Sequence, residues 1–143
     1  MTIRAKVRKE DGAAAVEFAI IAGLLFMLIF GMIEYGFAFF QMQSLRSATR
    51  EGARVAAVGG DNADITDRMV QASAGALPAG YSGWSVSPGD RCDSGGDADE
   101  AVTVVIANGS LPAPVQQALA IDIPFMPPIV LNPTIEGSFR CEG

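Results

Sequence analysis

A run of 28 residues from Ala13 to Phe40 contains only two charged side chains, Glu17 and Glu34. The 16 residues between these glutamates are all apolar or glycine. An α-helix rises ~1.5 Å per residue, so the two carboxylates would lie ~26 Å apart, slightly less than the ~30 Å hydrocarbon layer of a bilayer. The segment therefore predicts a helix that crosses a membrane.

Basic residues precede this segment and set its predicted orientation. They are Arg4, Lys6, Arg8 and Lys9. Because basic residues next to a span tend to stay in the cytoplasm, we expect everything after Phe40 to lie on the extracytoplasmic side. The apolar run is longer than the core of a cleaved secretory signal, and it continues directly into further helical sequence.

Glu17 is the residue that a plain signal anchor does not explain. A lone carboxylate inside the hydrocarbon costs roughly 3 kcal/mol. Gly12 suits a protease that binds an extended chain, because glycine has no side chain and disfavours helix. Cleavage there would give Ala13 an α-ammonium group with a pKa near ~8, which could neutralise Glu17 of an adjacent subunit. Alternatively, Glu17 lies among the lipid headgroups within reach of water.

Three motifs occur in order along this part of the chain: Gly12-Ala13-Ala14-Ala15-Val16-Glu17-Phe18-Ala19, Ile33-Glu34-Tyr35-Gly36 and Arg50-Glu51-Gly52-Ala53-Arg54. Over about residues 10–58 the sequence resembles the TadE-like family, the pseudopilins or minor pilin-like proteins of the bacterial tight-adherence (Flp) type IV pilus. Many relatives have a proline early in the span, which this chain lacks.

The resemblance implies processing by a prepilin peptidase between Gly12 and Ala13, in the bacterial cytoplasmic membrane. It places Glu17 at the fifth position of the mature chain, where Glu17 and Phe18 would serve recognition during assembly. The implied partners are the prepilin peptidase, pilins, other pilus-assembly subunits and membrane lipid.

Aromatic residues gather at the far end of the span, directly after Glu34. They are Tyr35, Phe37, Phe39 and Phe40. Aromatic rings favour the membrane–water interface, so this aromatic cluster marks either the exit from the bilayer or a packing surface against another subunit. We expect Glu34 to reach lipid headgroups or an arginine of a neighbouring subunit.

The helix is expected to continue to Val58, because the sequence beyond the span contains no proline up to that point. Arg46, Arg50 and Arg54 recur every four residues and share one helix face. Like charges at this spacing repel each other, although Glu51 can pair with Arg54. The stripe is either a solvated basic face or a docking surface for lipid headgroups or for an acidic surface of another pilus component.

A small head follows the long helix. Gly59-Gly60 is a helix stop, and Asp61 and Asp64 offer caps to a second helix. The second helix has a thin apolar stripe, and three later segments have strand composition. The stripe is Ile65, Met69, Ala72 and Ala76, and the strand segments are Trp84–Val86, Ala101–Ile106 and Thr134–Cys141.

Two irregular stretches complete the head. The acid-rich segment from Asp90 to Glu100 lacks the spacing of an EF-hand loop, so we expect a solvated hairpin loop and no metal site. Six prolines between Leu111 and Pro133 leave room for only a short helix around residues 115–120.

The two cysteines, Cys92 and Cys141, both lie beyond the span. In an oxidising compartment they would pair and close a loop with 48 intervening residues. By the chain-entropy argument such a bond contributes roughly 4 kcal/mol. The alternative is two unpaired thiols.

Composition excludes several classes of function. The chain has no histidine, which rules out His-based acid–base catalysis, Ser-His-Asp and Cys-His pairs and His-ligated metals. We predict no enzyme activity and no cofactor. Removing residues 1–12 would remove four basic and two acidic side chains, changing the net charge from −6 to −8, which disfavours nucleic-acid binding.

The sequence thus predicts an α+β protein with three segments: a basic leader (1–12), a transmembrane and extended pilin-like helix (13–58) and a small extracytoplasmic head (59–143). With 143 residues, the chain has room for one small domain. The predicted function is that of a pseudopilin or minor pilin-like component in assembly of a tight-adherence pilus. The alternative is a membrane-anchored extracytoplasmic binding module unrelated to pili.

Overall fold

The computed structural model describes residues 9–87, 92, 100–107, 109–122 and 127–141. It has the predicted α+β architecture, in which a long helix is followed by a small head. The elements are α1 (Lys9–Ala57), α2 (Asn62–Ala72), β1 (Trp84–Ser87), β2 (Ala101–Ile106), α3 (Ala113–Ala118), β3 (Ala120–Ile121), β4 (Ile129–Val130) and β5 (Ile135–Arg140).

Helix α1 has 49 residues and a length of roughly 73 Å at ~1.5 Å per residue. It begins before the predicted start at Ala13 and ends one residue before Val58. The end is set by Gly59, whose φ of +78° is accessible to glycine without steric cost. The Gly60 N–H donates to the Val55 carbonyl at 3.0 Å, which satisfies one of the last carbonyls of the helix.

Helix α2 begins where the sequence predicts a cap. The Asp61 carboxylate accepts a hydrogen bond from the Asp64 N–H at 2.8 Å, which satisfies a backbone donor that the helix itself leaves unpaired. Ile65 and Met69 are fully buried against α1. Ile65 and Met69 of the predicted stripe therefore form the packing face of α2. Ala72 is only half-buried, and Ala76 is buried beyond the end of the helix, which stops four residues earlier than the stripe.

The three predicted strands form one antiparallel sheet in the order β1-β2-β5. Trp84 of β1 pairs with Ile106 of β2, and Ala101 at the start of β2 pairs with Arg140 of β5. Every second residue of β2 is buried, so one face of the sheet covers α1. The predicted hairpin loop between β1 and β2 lies largely outside the described residues.

The proline-rich stretch contains more regular structure than the sequence predicts. The short helix is present as α3, but a two-stranded ladder of β3 and β4 also forms, with Ala120 opposite Val130 and Ile121 opposite Ile129. The expectation that only a helix would fit here is wrong. Neither two-residue strand contains a proline, so each keeps the N–H groups that the ladder needs.

The head packs on one side of α1, against what we call the head-facing seam. The seam residues are buried and mostly small: Ala38, Leu45, Ala48, Gly52 and Ala56. A Cβ atom on Gly52 would lie 2.7 Å from the Met69 Cγ atom, and one on Gly137 would collide with the backbone of Thr49 and Arg50. Glycines thus let α2 and β5 approach α1 closely.

Candidate functional site

The first half of α1 carries an exposed apolar surface. From Val16 to Ile33 the large apolar side chains are 40–72% exposed. None of the most apolar window of the helix is buried within the described structure, so this part of α1 is not the core of the head. By length and composition the helix can cross a membrane.

Gly12 and Ala13, the predicted cleavage pair, lie inside α1 and are exposed. A Cβ atom added to Gly12 would meet nothing within 4 Å. A protease that binds an extended chain must therefore unwind the first turn of the helix here. Gly12 lowers the cost of that step, because glycine in a helix is destabilising by about 1 kcal/mol relative to alanine.

Glu17 and Phe18 follow one turn later, and both are exposed. Within the described part of the chain Glu17 forms no ion pair. Its predicted pairing with the N-terminal ammonium of an adjacent subunit stays a prediction.

Glu34 has a partner that the sequence did not suggest. Its Oε2 atom accepts a hydrogen bond from the backbone N–H of Asp122 at 2.8 Å. Asp122 directly follows β3, so a head residue 88 positions further along the chain is held at the level of Glu34. Contacts of the same carboxylate with headgroups or with a neighbouring arginine remain predictions.

The predicted arginine stripe lines one wall of a groove of about 540 Å³ between α1, α2 and β5. We call it the basic groove. Its arginines are Arg46, Arg50 and Arg54 from α1 and Arg68 from α2, and its other lining residues are Gln43, Ser47, Glu51, Gln71, Ala72 and Phe139. Arg68 was missed from the sequence, because only the packing of α2 on α1 brings it to the stripe.

One carboxylate orders part of the basic groove. Arg54 Nη2 and Nε donate to the two oxygens of Glu51 at 2.6 and 3.0 Å, and Arg68 Nη2 lies 3.1 Å from Glu51 Oε1. The pKa of the Glu51 carboxyl is held below its usual 4.5, chiefly by the hydrogen bond from Arg54 and further by the charges of Arg54 and Arg68. The predicted Glu51–Arg54 pair is thus confirmed.

The remaining arginines leave the groove with positive charge. Arg46 and Arg50 are exposed and form no ion pair within the described ranges. Four arginines against one glutamate make a surface suited to carboxylates or phosphates, which guanidinium groups bind in a bidentate manner.

The predicted disulfide is present. Cys92 and Cys141 are bonded, with a Cα–Cα distance of 5.5 Å. The Cys141 N–H donates to the Glu100 carbonyl at 2.8 Å, and this hydrogen bond holds the end of β5 beside the start of β2. The disulfide is attached at the same place. Among the described residues no group of three or more acidic or cysteine side chains is placed to hold a metal ion, and the predicted solvated loop at 90–100 lies mostly outside them.

The described residues define a protein with a membrane-scale apolar helix whose second half carries an α+β head. Residues 12–54 match the family described as TadE-like protein, which confirms the resemblance drawn from the motifs. The match connects the chain with the Tad pilus system, and this family is not a known enzyme family. No curated protein and no solved structure gives a significant match to the chain.

Proposed function

We propose that the chain is a membrane-anchored pseudopilin, or minor pilin-like component, that takes part in assembly of a tight-adherence type IV pilus. The observation that carries the proposal is the extent of the family match. The match starts at Gly12 and covers the whole exposed apolar part of α1 together with the arginine stripe. Prepilin peptidase would cut between Gly12 and Ala13, leaving a mature chain of residues 13–143.

The proposed location is the bacterial cytoplasmic membrane, with the N-terminus in the cytoplasm and the head outside. The basic residues at positions 4–9 favour this orientation. The Cys92–Cys141 bond supports it independently, because disulfides persist in the oxidising space outside the cytoplasm.

Contacts with pilus subunits would use two surfaces of α1. The exposed apolar half would pack with pilin helices inside the membrane, where Glu17 and Phe18 are accessible to a neighbour. The basic groove would receive an acidic surface of another assembly component. Arg46 lies roughly 9 Å and Arg54 roughly 21 Å beyond Phe40 along the helix, which favours a protein partner over lipid headgroups for most of the groove.

Determination of the mature N-terminus in the native host tests the proposal. We expect the chain to begin at Ala13, and we expect Gly12→Val to retain the leader and abolish pili. Gly23→Val is the matched control for cleavage and should still begin at Ala13, because an added Cβ atom meets nothing within 4 Å at either glycine. A chain that begins at Met1, together with normal piliation in Gly12→Val, would overturn the proposal.

The basic groove favours a second candidate, an anchored extracytoplasmic binding module unrelated to pili. Arg46→Gln combined with Arg50→Gln removes two guanidinium groups without touching the Glu51 pairs. The exposed Arg140→Gln is the matched control. If the double variant loses binding of polyglutamate while piliation is unchanged, the binding module is favoured, and loss of pili favours the assembly role.

A further inference from the structure

We infer that the head lies directly on the membrane surface, with the β3–β4 ladder seated in the interfacial region of the phospholipid bilayer. This inference rests on the membrane anchoring proposed above, and it adds a second lipid contact that α1 does not make. The occupant of the exposed apolar surface of the ladder is the lipid of the same membrane that α1 crosses.

The depth of the ladder is fixed by its link to α1. The Glu34 carboxylate accepts the N–H of Asp122, which is the residue next to Ile121 of β3. Ile121 in turn pairs with Ile129 of β4. The ladder is therefore held at the level of Glu34, at the end of the apolar span, and not beyond the aromatic cluster.

The aromatic cluster lies at the same depth, on the sides of α1 that the head leaves uncovered. Glu34 and Phe40 are six residues apart, which is roughly 9 Å along a helix. Between these two residues Ala38 is only 2% exposed, because the head covers it, whereas all four aromatic side chains of the cluster are more than 50% exposed. Aromatic side chains at the end of a span mark the interface, so the base of the head shares the depth of that interface.

The chemistry of the ladder fits this position. Ile129 and Val130 are 47% and 54% exposed. The sequence from Pro127 to Ile135 contains no charged residue. Among the described residues after Gly60, the other exposed large apolar side chain is Phe139, which is 38% exposed in the basic groove. The apolar exposure of the head is thus concentrated where the bilayer surface would lie.

Single-tryptophan variants of the full chain, reconstituted in vesicles of phosphatidylcholine and phosphatidylglycerol with brominated acyl chains, test the inference. The test variant is Ile129→Trp with Trp84→Phe. We expect brominated lipid to quench roughly half of its emission, since an interfacial ring reaches the acyl-chain boundary. Val130→Trp in the same background repeats the test from the other residue of β4.

Two controls lie far from the bilayer. Val58→Trp with Trp84→Phe places an exposed ring roughly 36 Å beyond Glu34 along α1. The second control is Trp84 of the wild-type protein, whose indole N–H donates to Thr66 of α2. The neighbouring Ile65 approaches Gly52 of α1, which lies roughly 27 Å beyond Glu34 along the helix. Brominated lipid should leave both emissions unchanged.

A third variant, Phe26→Trp with Trp84→Phe, separates the inference from the proposed anchoring. If Phe26→Trp is quenched and neither β4 variant is, the head stands clear of the membrane and the inference fails alone. If Phe26→Trp is not quenched, the anchoring itself fails. A ring at position 129 that is shielded from both brominated lipid and aqueous acrylamide would indicate a protein neighbour and would also overturn the inference.

A measurement on the wild-type protein covers the case in which the β4 variants misfold. In nanodiscs that contain a headgroup spin-labelled lipid, the methyl resonances of Ile129 and Val130 should broaden strongly, while those of Val58 should not. Equal broadening of all three residues, or of none, would contradict a seated ladder.

Discussion

Gly137 of β5 lies against the backbone of α1, and its replacement by alanine should be among the most damaging single changes in the head. A Cβ atom at this position would lie well inside van der Waals distance of the carbonyl carbon and oxygen of Thr49 and of the amide nitrogen of Arg50. These are main-chain atoms within α1, about two turns before its end at Ala57, so no side-chain rotation relieves the collision. The strand and the helix must separate.

The cost can be worked out from the separation. Ordinary contact of a Cβ atom begins at about 3.4 Å, so β5 must move by about 1 Å, and a gap of that size forfeits roughly a quarter to a half of the dispersion energy of the contacts that it opens. Overpacking of a core costs typically 1–3 kcal/mol, and a rigid neighbour places this case at about 3 kcal/mol or more. For a domain the size of the head (59–143), this loss of stability should lower the melting temperature by roughly 12–24 °C.

Thermal unfolding of the full chain in detergent micelles, followed by Trp84 fluorescence, measures this effect. Trp84 reports on the head because its indole N–H is bonded to Thr66 of α2 at 3.2 Å. Gly52→Ala is the graded control: its Cβ atom would lie 2.7 Å from Met69 Cγ, and a side chain can shift where main-chain atoms of α1 cannot, so the loss should be smaller. Ser138→Ala, on the exposed face of β5, should change stability by less than about 0.5 kcal/mol.

The sign of the change in unfolding free energy caused by Gly137→Ala tests whether β5 rests on the backbone of α1. Where the backbone tolerates it, glycine-to-alanine replacement stabilises a protein by about 0.4–1 kcal/mol, because it reduces the entropy of the unfolded chain. A neutral or stabilising Gly137→Ala would therefore show that β5 does not rest on the helix backbone. The close packing described for the α1–β5 contact would then be refuted.

Three further perturbations have defined outcomes. Replacing Cys92 and Cys141 by serine should lower the free energy of unfolding by about 4 kcal/mol, and dithiothreitol should shift the wild-type melting curve equally; no shift in either would contradict the loop-closure argument. Glu51→Gln should cost at most about 1 kcal/mol at neutral pH. Because the folded-state pKa of Glu51 is lowered, its contribution to stability is present above pH 4.5 and is lost as the pH falls through that lowered pKa. Denaturation at a series of pH values measures this, and a difference in unfolding free energy between wild type and Glu51→Gln that persists at acidic pH would argue against the ion pairs. Asp61→Ala should cost about 1 kcal/mol in thermal unfolding, whereas the exposed Asp67→Ala should not, and equal effects would exclude capping.

Local signals explain what the sequence predicted correctly. The span is predicted from composition alone, the end of α1 from a glycine pair, and the start of α2 from one aspartate. Each of these predictions needs only residues that are neighbours in the sequence. The strands around Trp84, Ala101 and Ile135 have alternating or β-branched residues. The disulfide followed from two cysteines in an oxidising compartment.

Contacts between distant segments explain what was missed. The Glu34–Asp122 hydrogen bond joins residues 88 positions apart, and Arg68 reaches the basic groove only through the docking of α2. The β3–β4 ladder is too short to leave a period in the sequence. Two sequence signals do indicate this packing: a glycine within a strand, such as Gly137, indicates close backbone approach, and small residues three or four apart indicate a packed helix face.

The placement of the head also restricts how α1 can meet other helices. Between Gly12 and Ile33 no residue of the helix is buried, whereas beyond Glu34 the head-facing seam is covered from Ala38 onwards. Another helix that runs alongside the second half of α1 can therefore approach only on the side that exposes Phe40, Gln43 and Arg50. Since the Glu34–Asp122 link and Gly137 fix the head about the helix axis, they also determine which side this is. A packing partner that follows α1 along its whole length must present an apolar surface to its first half, aromatic contacts near Phe40 and acidic groups beyond.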